Sequence, residues 1–316
     1  MQNPKLAFVF PGQGSQKIGM LAELAEAYPL VEQTFAEASE VLDYDLWKLV
    51  QQGSQEAINL TETTQPLLLT SSVAIWRIWQ DLQGATPAAM AGHSLGEWSA
   101  LVCAGVVDFS AAVNLVRLRG AYMQAAVPAG QGAMAAILGL DDAQLAACCE
   151  QASEGEEVTA VNFNAPGQVV IAGVSAAVDR AIVLCKEAGA KRALPLPVSA
   201  PFHTALMKPA ADKLASDIAA VTFKTPQIPL VHNVHAQTEG DPAAIKTLMI
   251  EQIYSPVRWV DCVGALQAQG VEMAVECGPG KVLCGLSKRI DKALQMRSTD
   301  KAADLQAAVA DAQPQS

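Results

Sequence analysis

The chain has 316 residues, of which 51% are hydrophobic and 17% are charged, and its formal net charge at pH 7 is -11. This composition is typical of a folded protein with a sizeable core, and the negative charge disfavours nucleic acid as a partner, because phosphate binding needs a basic surface. No apolar run approaches the roughly 18 residues of a membrane span. The seven cysteines include no C-x-x-C pair, which predicts reduced thiols in the cytoplasm.

The N-terminal part of the chain predicts one strand followed by helices. Residues 5–10, "KLAFVF", form a buried strand that ends in "PGQGSQ". Their apolar run is too short for a secretory signal peptide, so we expect a cytoplasmic protein. Apolar spacing in residues 20–50 predicts helices, and residues 64–79 predict a long amphipathic helix with Pro66 near its start.

The next elements are a predicted strand, a sharp turn and a helix. An apolar run at 88–91 precedes "GHSLG", in which Gly92, Ser94 and Gly96 match G-x-S-x-G, and residues 95–106 have helical spacing. Glycines two positions before and after the serine let the backbone turn sharply and expose the hydroxyl. The pattern therefore predicts a nucleophilic serine at the tip of the turn.

The pattern changes after a glycine and proline hinge at residues 128–132. Strands and helices then follow in the order βαββαβ, the split-βαβ, ferredoxin-like arrangement. We expect this small subdomain to span 129–198, inserted into a large α/β-hydrolase-like catalytic domain with a mostly parallel central sheet. The large domain would comprise residues 1–128 and 199–316, and its tail after Thr299 is predicted to be polar and low in complexity.

A serine hydroxyl becomes a good nucleophile only when a base takes its proton. His93 adjoins the serine, and adjacent side chains at a sharp turn point apart, which disfavours it as the base. His232 and His235 lie in or just after a strand-like run, where a structural role is the simpler interpretation. His203 lies in "PFH", in a loop that can overhang a site between the two domains, although it could instead cap the following helix. We expect His203 to be the base.

Two backbone N–H groups are candidates for stabilising an oxyanion. Leu95 opens the helix after the serine, where the dipole is positive, and Gln13 lies in the glycine-rich loop after the first strand. A phosphate loop is disfavoured. Lys17 occupies the last glycine position of G-x-G-x-x-G, and "GPGKV" lacks the upstream glycine and the Ser/Thr of a Walker A motif.

A further helix is predicted to begin at Ser110 as its N-cap, and it carries an arginine on its apolar face. At about 100° per residue, Arg119 shares that face with Val116 and Met123, while Arg117 lies opposite. A buried guanidinium must pair with an internal carboxylate or with an anionic ligand. In the second case the far end of the ligand lies at the serine, which suits an acyl group with a second carboxylate, such as malonyl.

Several motifs together resemble the malonyl-CoA:acyl carrier protein transacylase family, from residue 8 to about residue 289. They are "FPGQGSQ", "TQP", "GHSLGE", an arginine 25 positions after the serine, "PFH", "QIYSPVRW" and "ECGPGKVL". The resemblance implies a ping-pong reaction in which Ser94 takes malonyl from malonyl-CoA and passes it to the phosphopantetheine thiol of an acyl carrier protein, for fatty acid synthesis. It implies no cofactor and no metal. We expect a monomer that meets its carrier protein transiently.

The resemblance also assigns roles to single residues. His203 corresponds to the base, Arg119 to the carboxylate-binding arginine, and the N–H groups of Gln13 and Leu95 to the oxyanion donors. The backbone carbonyl of Gln252 corresponds to the group that orients the histidine, where a hydrolase would use Asp or Glu. The other matches to the acyl pocket are Gln65, Met123, His93 and Phe202, the last resembling the form that selects malonyl.

Other functions would use parts of the same pattern. A thioesterase or other serine hydrolase shares the turn and the histidine but has no use for an inward arginine. A trans-acting polyketide acyltransferase differs in its carrier protein. A non-catalytic carrier-binding module would need no reactive side chains, whereas Ser94, His203 and Arg119 are all present.

Docking of an acidic carrier protein to this acidic chain would need a local basic area. Residues 286–297, "LSKRIDKALQMR", together with Lys208 and Lys281, are the candidate. A solvated helix face is the alternative interpretation of this charge run.

Overall fold

The computed structural model describes residues 1–198 and 200–314. Ser199, where we predicted that the chain re-enters the large domain, and the last two residues of the predicted tail lie outside the described residues. In the described part the strands, in chain order, are β1 (Gln2–Phe10), β2 (Thr86–Gly92), β3 (Gly132–Leu138), β4 (Val158–Ala165), β5 (Gln168–Val174), β6 (Arg192–Pro195), β7 (Leu230–Val231), β8 (Met273–Glu276) and β9 (Gln295–Ser298).

The helices follow the same numbering along the chain, and none that is described is both long and apolar enough to cross a membrane. They are α1 (Ala22–Ala27), α2 (Leu30–Leu42), α3 (Leu46–Gln52), α4 (Gln55–Asn59), α5 (Thr61–Asp81), α6 (Leu95–Cys103), α7 (Phe109–Ala125), α8 (Asp142–Ser153), α9 (Ser175–Glu187), α10 (Lys208–Ala220), α11 (Pro242–Glu251), α12 (Trp259–Ala268), α13 (Val282–Ile290) and α14 (Ala302–Asp311).

The larger sheet is parallel and has the strand order β7-β2-β1-β8-β9. Helices cover both of its faces. Alternate residues of the central strand β1 therefore belong to two different apolar clusters. Phe8 and Phe10 belong to the same apolar cluster as Trp79 of α5 on one face, and Val9 belongs to the cluster of Trp259 of α12 on the other. A strand buried on both faces explains the continuous apolar run "LAFVF". This sheet confirms the predicted fold class.

The smaller sheet is antiparallel, with the strand order β4-β5-β3-β6, and α8 and α9 pack together with it. Its βαββαβ order is the one predicted. The unit has its own apolar cluster, which includes Ile137, Ile171 and Val178. It is tied to the rest of the chain where β4 meets the segment before α12, with the Val257 N–H donating to the Val161 carbonyl over 2.7 Å. The exact division of the chain at residues 129–198 stays a prediction.

Two helix starts differ from the prediction. Helix α5 begins at Thr61, so Pro66 lies inside it rather than near its start. Helix α7 is capped by Asp108 and not by Ser110. The Asp108 carboxylate accepts from the N–H groups of Ser110 and Ala111, and a carboxylate at this position also complements the positive helix end.

The polar tail predicted after Thr299 is wrong, because residues 302–311 form the helix α14. Leu305 and Ala308, three positions apart, are both fully buried in the main core. Because this segment is rich in alanine, its composition alone does not reveal the narrow apolar stripe of Leu305 and Ala308. Residues 286–297 likewise do not form one helix, since α13 ends at Ile290 and β9 begins at Gln295.

Replacement of Leu305 by alanine tests whether α14 belongs to the core. We expect Leu305→Ala to lower the free energy of unfolding by roughly 2–5 kcal/mol, because it leaves a cavity in a packed cluster. The matched control is Leu194→Ala on β6, where the leucine is 49% exposed, and it should change stability by under about 1 kcal/mol. Urea denaturation followed by circular dichroism measures both. Equal effects of the two variants would contradict the assignment of α14 to the core.

Candidate active site

Ser94 stands at the sharp turn between β2 and α6, with a backbone φ of 50° and ψ of -106°. The two flanking glycines make this turn possible. A Cβ on Gly92 would lie 2.0 Å from the carbonyl carbon of Gly96, and a Cβ on Gly96 would lie 2.0 Å from the Phe10 oxygen. Neither position can hold a side chain, so the turn packs directly against the end of β1 and presents the serine outward.

His203 and Ser94 form the central hydrogen bond of the site. The Nε2 atom of His203 lies 2.8 Å from Ser94 Oγ, and its Nδ1 atom lies 2.9 Å from the backbone oxygen of Gln252. A carbonyl can only accept, so Nδ1 carries the hydrogen and Nε2 is left to accept the serine proton. His203 has a φ of 65°, in the left-handed region that is costly for a non-glycine residue, and such strain concentrates at functional sites.

The imidazole of His203 stays neutral at physiological pH. Burial, reinforced by the charge of Arg119, lowers the pKa of His203 to about 3, although the hydrogen bond to the Gln252 carbonyl acts in the opposite direction. The loss of hydration disfavours the cationic form, and a neighbouring cation adds to the effect. A neutral imidazole has a lone pair for the serine hydroxyl, which is the state that a general base needs.

Arg119 projects from α7 into the same site and is only 1% exposed. Its Nη1 donates to Gln65 Oε1 over 2.8 Å, and its Nη2 donates to Gln252 Oε1 over 3.0 Å and to Ser94 Oγ over 3.2 Å. Among the described residues, all hydrogen-bond partners of this guanidinium are therefore uncharged. Its Nε–H has no hydrogen-bond partner among the residues that the structure describes.

The charge of Arg119 persists in spite of its burial. Burial lowers the pKa of Arg119 to about 10, and the negative charge of Glu97 opposes this effect. The group is a cation at neutral pH without a carboxylate bound directly to it. Of the two alternatives that the sequence left open, this geometry favours an anionic ligand over a buried Arg–carboxylate pair.

The predicted site residues surround one cavity of about 120 Å³, apart from Gln252, which lies behind its wall. The lining residues that the sequence predicted are Gln13, Gln65, His93, Ser94, Leu95, Arg119, Met123, Phe202 and His203. The smaller sheet and the segment after it supply four more that sequence reasoning missed, and these are Met134, Asn162, Leu196 and Val198. Strand alternation predicts the face of the smaller sheet on which Met134 and Asn162 lie. Which face of that sheet meets the large domain depends on how the two sheets pack.

The two candidate oxyanion donors reach this cavity from different elements. Leu95 is the first residue of α6, so its N–H has no acceptor within the helix. Gln13 follows β1 in a loop that lies against the turn, since a Cβ on Gly12 would be 2.5 Å from the His93 oxygen. Both therefore line the space beside the serine hydroxyl.

The remaining histidines have other partners. His93 Nε2 lies 2.7 Å from Asn164 Oδ1 on β4, so its ring links the two sheets beside the cavity. His232 is buried, and its Nδ1 lies 2.7 Å from Glu97 Oε1, which supports the structural interpretation. His235 packs against the His232 ring.

Asn233, which follows β7, is a further site residue that the sequence did not reveal. Its Oδ1 accepts from the Ser94 N–H over 2.8 Å, and its Nδ2 donates to the Gly92 oxygen over 2.7 Å. One side chain thus fixes the turn on both sides of the serine. Nothing local marks Asn233 for this role, because the contact spans 139 positions of the chain.

The arrangement can perform nucleophilic acyl transfer on an acyl group that carries a negative charge. It combines a half-buried hydroxyl that lines the cavity, a neutral imidazole, backbone donors and a fixed cation. In the described part of the chain, no group of three His, Cys, Asp or Glu side chains is placed to hold a metal ion.

Residues 7–310 match the family described as the acyl transferase domain. The chain belongs to this acyl transferase family. A curated relative from Salmonella typhimurium, named malonyl CoA-acyl carrier protein transacylase, is 60% identical over 305 residues, which cover 96% of this chain and 99% of the relative. The relative of the same name from Bacillus subtilis is 49% identical and covers 92% of both chains.

Two solved structures are similar to this fold. An acyl carrier protein S-malonyltransferase from Vibrio cholerae has a TM-score of 0.94 and 63% sequence identity, covering 96% of this chain and 99% of the other. A malonyl-transacylase in complex with its type II polyketide-synthase acyl-carrier protein has a TM-score of 0.96 and 56% identity, covering 97% and 99%.

The lowered pKa of His203 predicts an unusual pH dependence. An ordinary histidine base would lose half of its activity near pH ~6.5, whereas the kcat/KM for acylation of Ser94 should stay level from neutral pH down to about 5, because the imidazole remains neutral. Stopped-flow measurement of acylation across this range gives the profile.

Acid should instead reduce activity through unfolding. At pH values below ~6.5 the unfolded chain protonates His203 while the folded chain does not, so stability falls as the pH falls. Circular dichroism at each pH separates the two causes. A loss of half the activity near pH 6.5 with the fold intact would contradict the assignment of a neutral, buried base.

Proposed function

We propose that this protein transfers malonyl from malonyl-CoA to the phosphopantetheine thiol of an acyl carrier protein, through a malonyl ester on Ser94, and so supplies fatty acid synthesis. The observation that carries the proposal is the buried cation of Arg119, which lies 3.2 Å from Ser94 Oγ and has only uncharged partners among the described residues. A diacid monothioester fits a nucleophile and a cation at this separation. A hydrolase of simple acyl thioesters has no use for the cation.

In the first half-reaction, Ser94 Oγ attacks the thioester carbonyl while His203 Nε2 takes its proton. The N–H groups of Leu95 and Gln13 stabilise the oxyanion, and Arg119 holds the distal carboxylate. When the tetrahedral intermediate collapses, the C–S bond breaks and the coenzyme A thiolate takes the proton from His203. The Gln252 carbonyl accepts from Nδ1–H throughout and stabilises the transient imidazolium.

The second half-reaction runs through the same atoms in reverse. The phosphopantetheine thiol gives its proton to His203 Nε2 and attacks the malonyl ester. Collapse breaks the bond to Ser94 Oγ, which takes the proton back. No external cofactor is needed, since the leaving thiol and the incoming thiol are chemically alike. The apolar side chains of Met134, Leu196 and Val198 on the cavity wall disfavour water beside the ester between the two steps.

We propose that the active unit is a single chain that meets its carrier protein transiently. The nucleophile, the base, its orienting carbonyl and the arginine all come from one chain. The seven cysteines are free thiols, which suits the reducing cytoplasm.

A polyketide carrier protein is a second candidate acceptor. The observation that favours it is the similarity to the malonyl-transacylase solved in complex with a type II polyketide-synthase acyl-carrier protein. The malonyl-loading site would be unchanged, and only the docking partner would differ.

Intact-mass measurement tests the proposed function. After mixing with malonyl-CoA, the wild-type protein should gain one malonyl group and lose it on addition of holo acyl carrier protein of the fatty acid type, which gains the same mass. Ser94→Ala should not load. Loading without transfer to any carrier protein, or steady release of free malonate, would contradict the proposal, and the second outcome would favour a thioesterase. Parallel reactions with a type II polyketide carrier protein compare the two acceptors.

Arg119→Ala tests the role of the cation in selecting malonyl. We expect a loss of malonyl transfer equivalent to about 3–5 kcal/mol, as when one member of a buried charged pair is removed, with acetyl transfer unchanged or raised. Arg117→Ala is the control on the same helix, since Arg117 does not line the cavity. Rates of loading from malonyl-CoA and acetyl-CoA give the comparison. Equal loss for both acyl groups would exclude a carboxylate-binding role.

The basic area at residues 286–297, with Lys208 and Lys281, stays a prediction as the docking surface for a carrier protein. Its basic side chains differ in the partners that they already have. Lys281 is paired with Asp304 at 2.9 Å, and Arg289 donates to Gln168 on the smaller sheet over 2.7 Å. The ion pair reduces what Lys281 can offer to a partner, so Lys288 and Arg289 at the end of α13 are the better test positions.

We expect reversal of both Lys288 and Arg289 to Glu to raise the KM for carrier protein by about tenfold or more, because like charges across an interface cost affinity. The rate of loading from malonyl-CoA should hold. Lys48→Glu is the control, a charge reversal at an exposed lysine of α3. Steady-state kinetics with varied carrier protein measures the effect. An unchanged KM would indicate that this end of α13 is only a solvated surface.

A further inference from the structure

Glu97 carries the negative charge that acts on Arg119, but its carboxylate is not hydrogen-bonded to the guanidinium. The Gln252 side chain stands between the two groups. Its Oε1 accepts from Arg119 Nη2 over 3.0 Å, and its Nε2 donates to Glu97 Oε2 over 2.6 Å. The order is therefore cation, neutral amide and carboxylate, all of them buried.

Three hydrogen-bond donors hold the carboxylate of Glu97 in place. Besides Gln252, it accepts from His232 Nδ1 over 2.7 Å and from the Asn233 N–H over 3.2 Å. Glu97 is fully buried and does not line the cavity. It can therefore act on the substrate only through the groups that it holds.

The polarity of the Gln252 amide follows from this arrangement. With the amide turned over, its NH₂ would face the guanidinium and its oxygen would face the carboxylate, so both contacts would be repulsive. In the observed orientation the Nε2 also donates to the Ser94 oxygen over 3.0 Å. Arg119 thus meets an uncharged oxygen from Gln252, as it does from Gln65.

We propose that Glu97 is the remote counter-charge of Arg119, and that its separation by one amide keeps the guanidinium available to the carboxylate of the substrate. The inference rests on the proposed function, because it explains how the site selects a diacid. A carboxylate in direct contact would compete with the substrate for the guanidinium. With no carboxylate nearby, the empty site would hold an uncompensated buried cation, which is strongly destabilising.

The effect of Glu97 on the ionisation of Arg119 supports this role. The negative charge of Glu97 raises the pKa of Arg119 against the opposing effect of burial. The interaction is therefore felt across the amide although the two side chains do not touch.

Gln65→Glu tests the requirement for neutral contacts. This near-isosteric change places a carboxylate on Arg119 Nη1, whereas Gln252 contacts Nη2. We expect the ratio of malonyl to acetyl loading to fall by roughly 100-fold, the size of effect seen for close buried charge pairs. Gln65→Met is the matched control, since it removes the same acceptor without adding charge, and its ratio should fall much less. Equal ratios for the two variants would overturn the proposal.

Glu97→Gln tests the counter-charge itself by thermal unfolding with and without free malonate. Removal of the negative charge should lower the Tm of the ligand-free protein, and malonate should raise it by more than in the wild type, because the ligand then supplies the missing charge. Acetate is the control ligand. Glu276→Gln, a second fully buried glutamate that accepts from the N–H groups of Leu283 and Cys284, is the control variant, with a malonate shift like that of the wild type.

The two arms separate the possible failures. A malonate shift in Glu97→Gln no larger than in the wild type would overturn the role of Glu97. If Glu97→Gln does not fold, the Gln65 pair still tests the neutral contacts that the proposal requires, because Gln65 is hydrogen-bonded to Arg119 and Met123 and not to Glu97. A wild-type protein that never loads malonyl would overturn the proposed function, whereas normal wild-type loading with unchanged ratios in the variants would overturn only this inference.

Discussion

The chemistry of this site depends on one contact, the placement of a buried cation against a hydroxyl that is already hydrogen-bonded to a neutral imidazole. Ser94 Oγ lies 2.8 Å from His203 Nε2 and 3.2 Å from Arg119 Nη2. The cation helps to keep the base neutral, because it adds to the effect of burial on the pKa of His203. The same cation suits an anionic acyl group, so activation of the nucleophile and choice of the substrate share one charge.

The fold makes this contact possible through the parallel sheet. Strands β1, β2 and β7 all end at the same edge, and the residues that follow them are Gln13, Ser94 and Asn233 in turn. Ligand sites in open α/β sheets form at such an edge, because the loops after parallel strands converge there. The smaller sheet then covers the opening and supplies part of the cavity wall.

Gln252 joins the parts of the site that move protons to the parts that bind charge. Its backbone oxygen orients His203, and its side chain bridges Arg119 and Glu97. A backbone carbonyl suits the orienting role here. A carboxylate as the third member of a hydrolase-like triad would add a second negative charge near Arg119, besides Glu97, and weaken its attraction for a diacid. The use of amides around the guanidinium agrees with this reasoning.

The sequence by itself determined the strand-turn-helix at Ser94, the βαββαβ order of the small unit and the inward direction of Arg119, because each follows from glycine positions or apolar periodicity within a short segment. The position of His203, in a loop between the two predicted domains, singled it out as the base. Family motifs then supplied the Gln252 carbonyl, which periodicity alone could not. Only the tertiary structure decided that Glu97, Asn233 and Asn162 belong to the site and that the tail is the helix α14. Their contacts join positions that are far apart along the chain, as with the 155 between Gln252 and Glu97, and such contacts depend on how the sheets and helices pack.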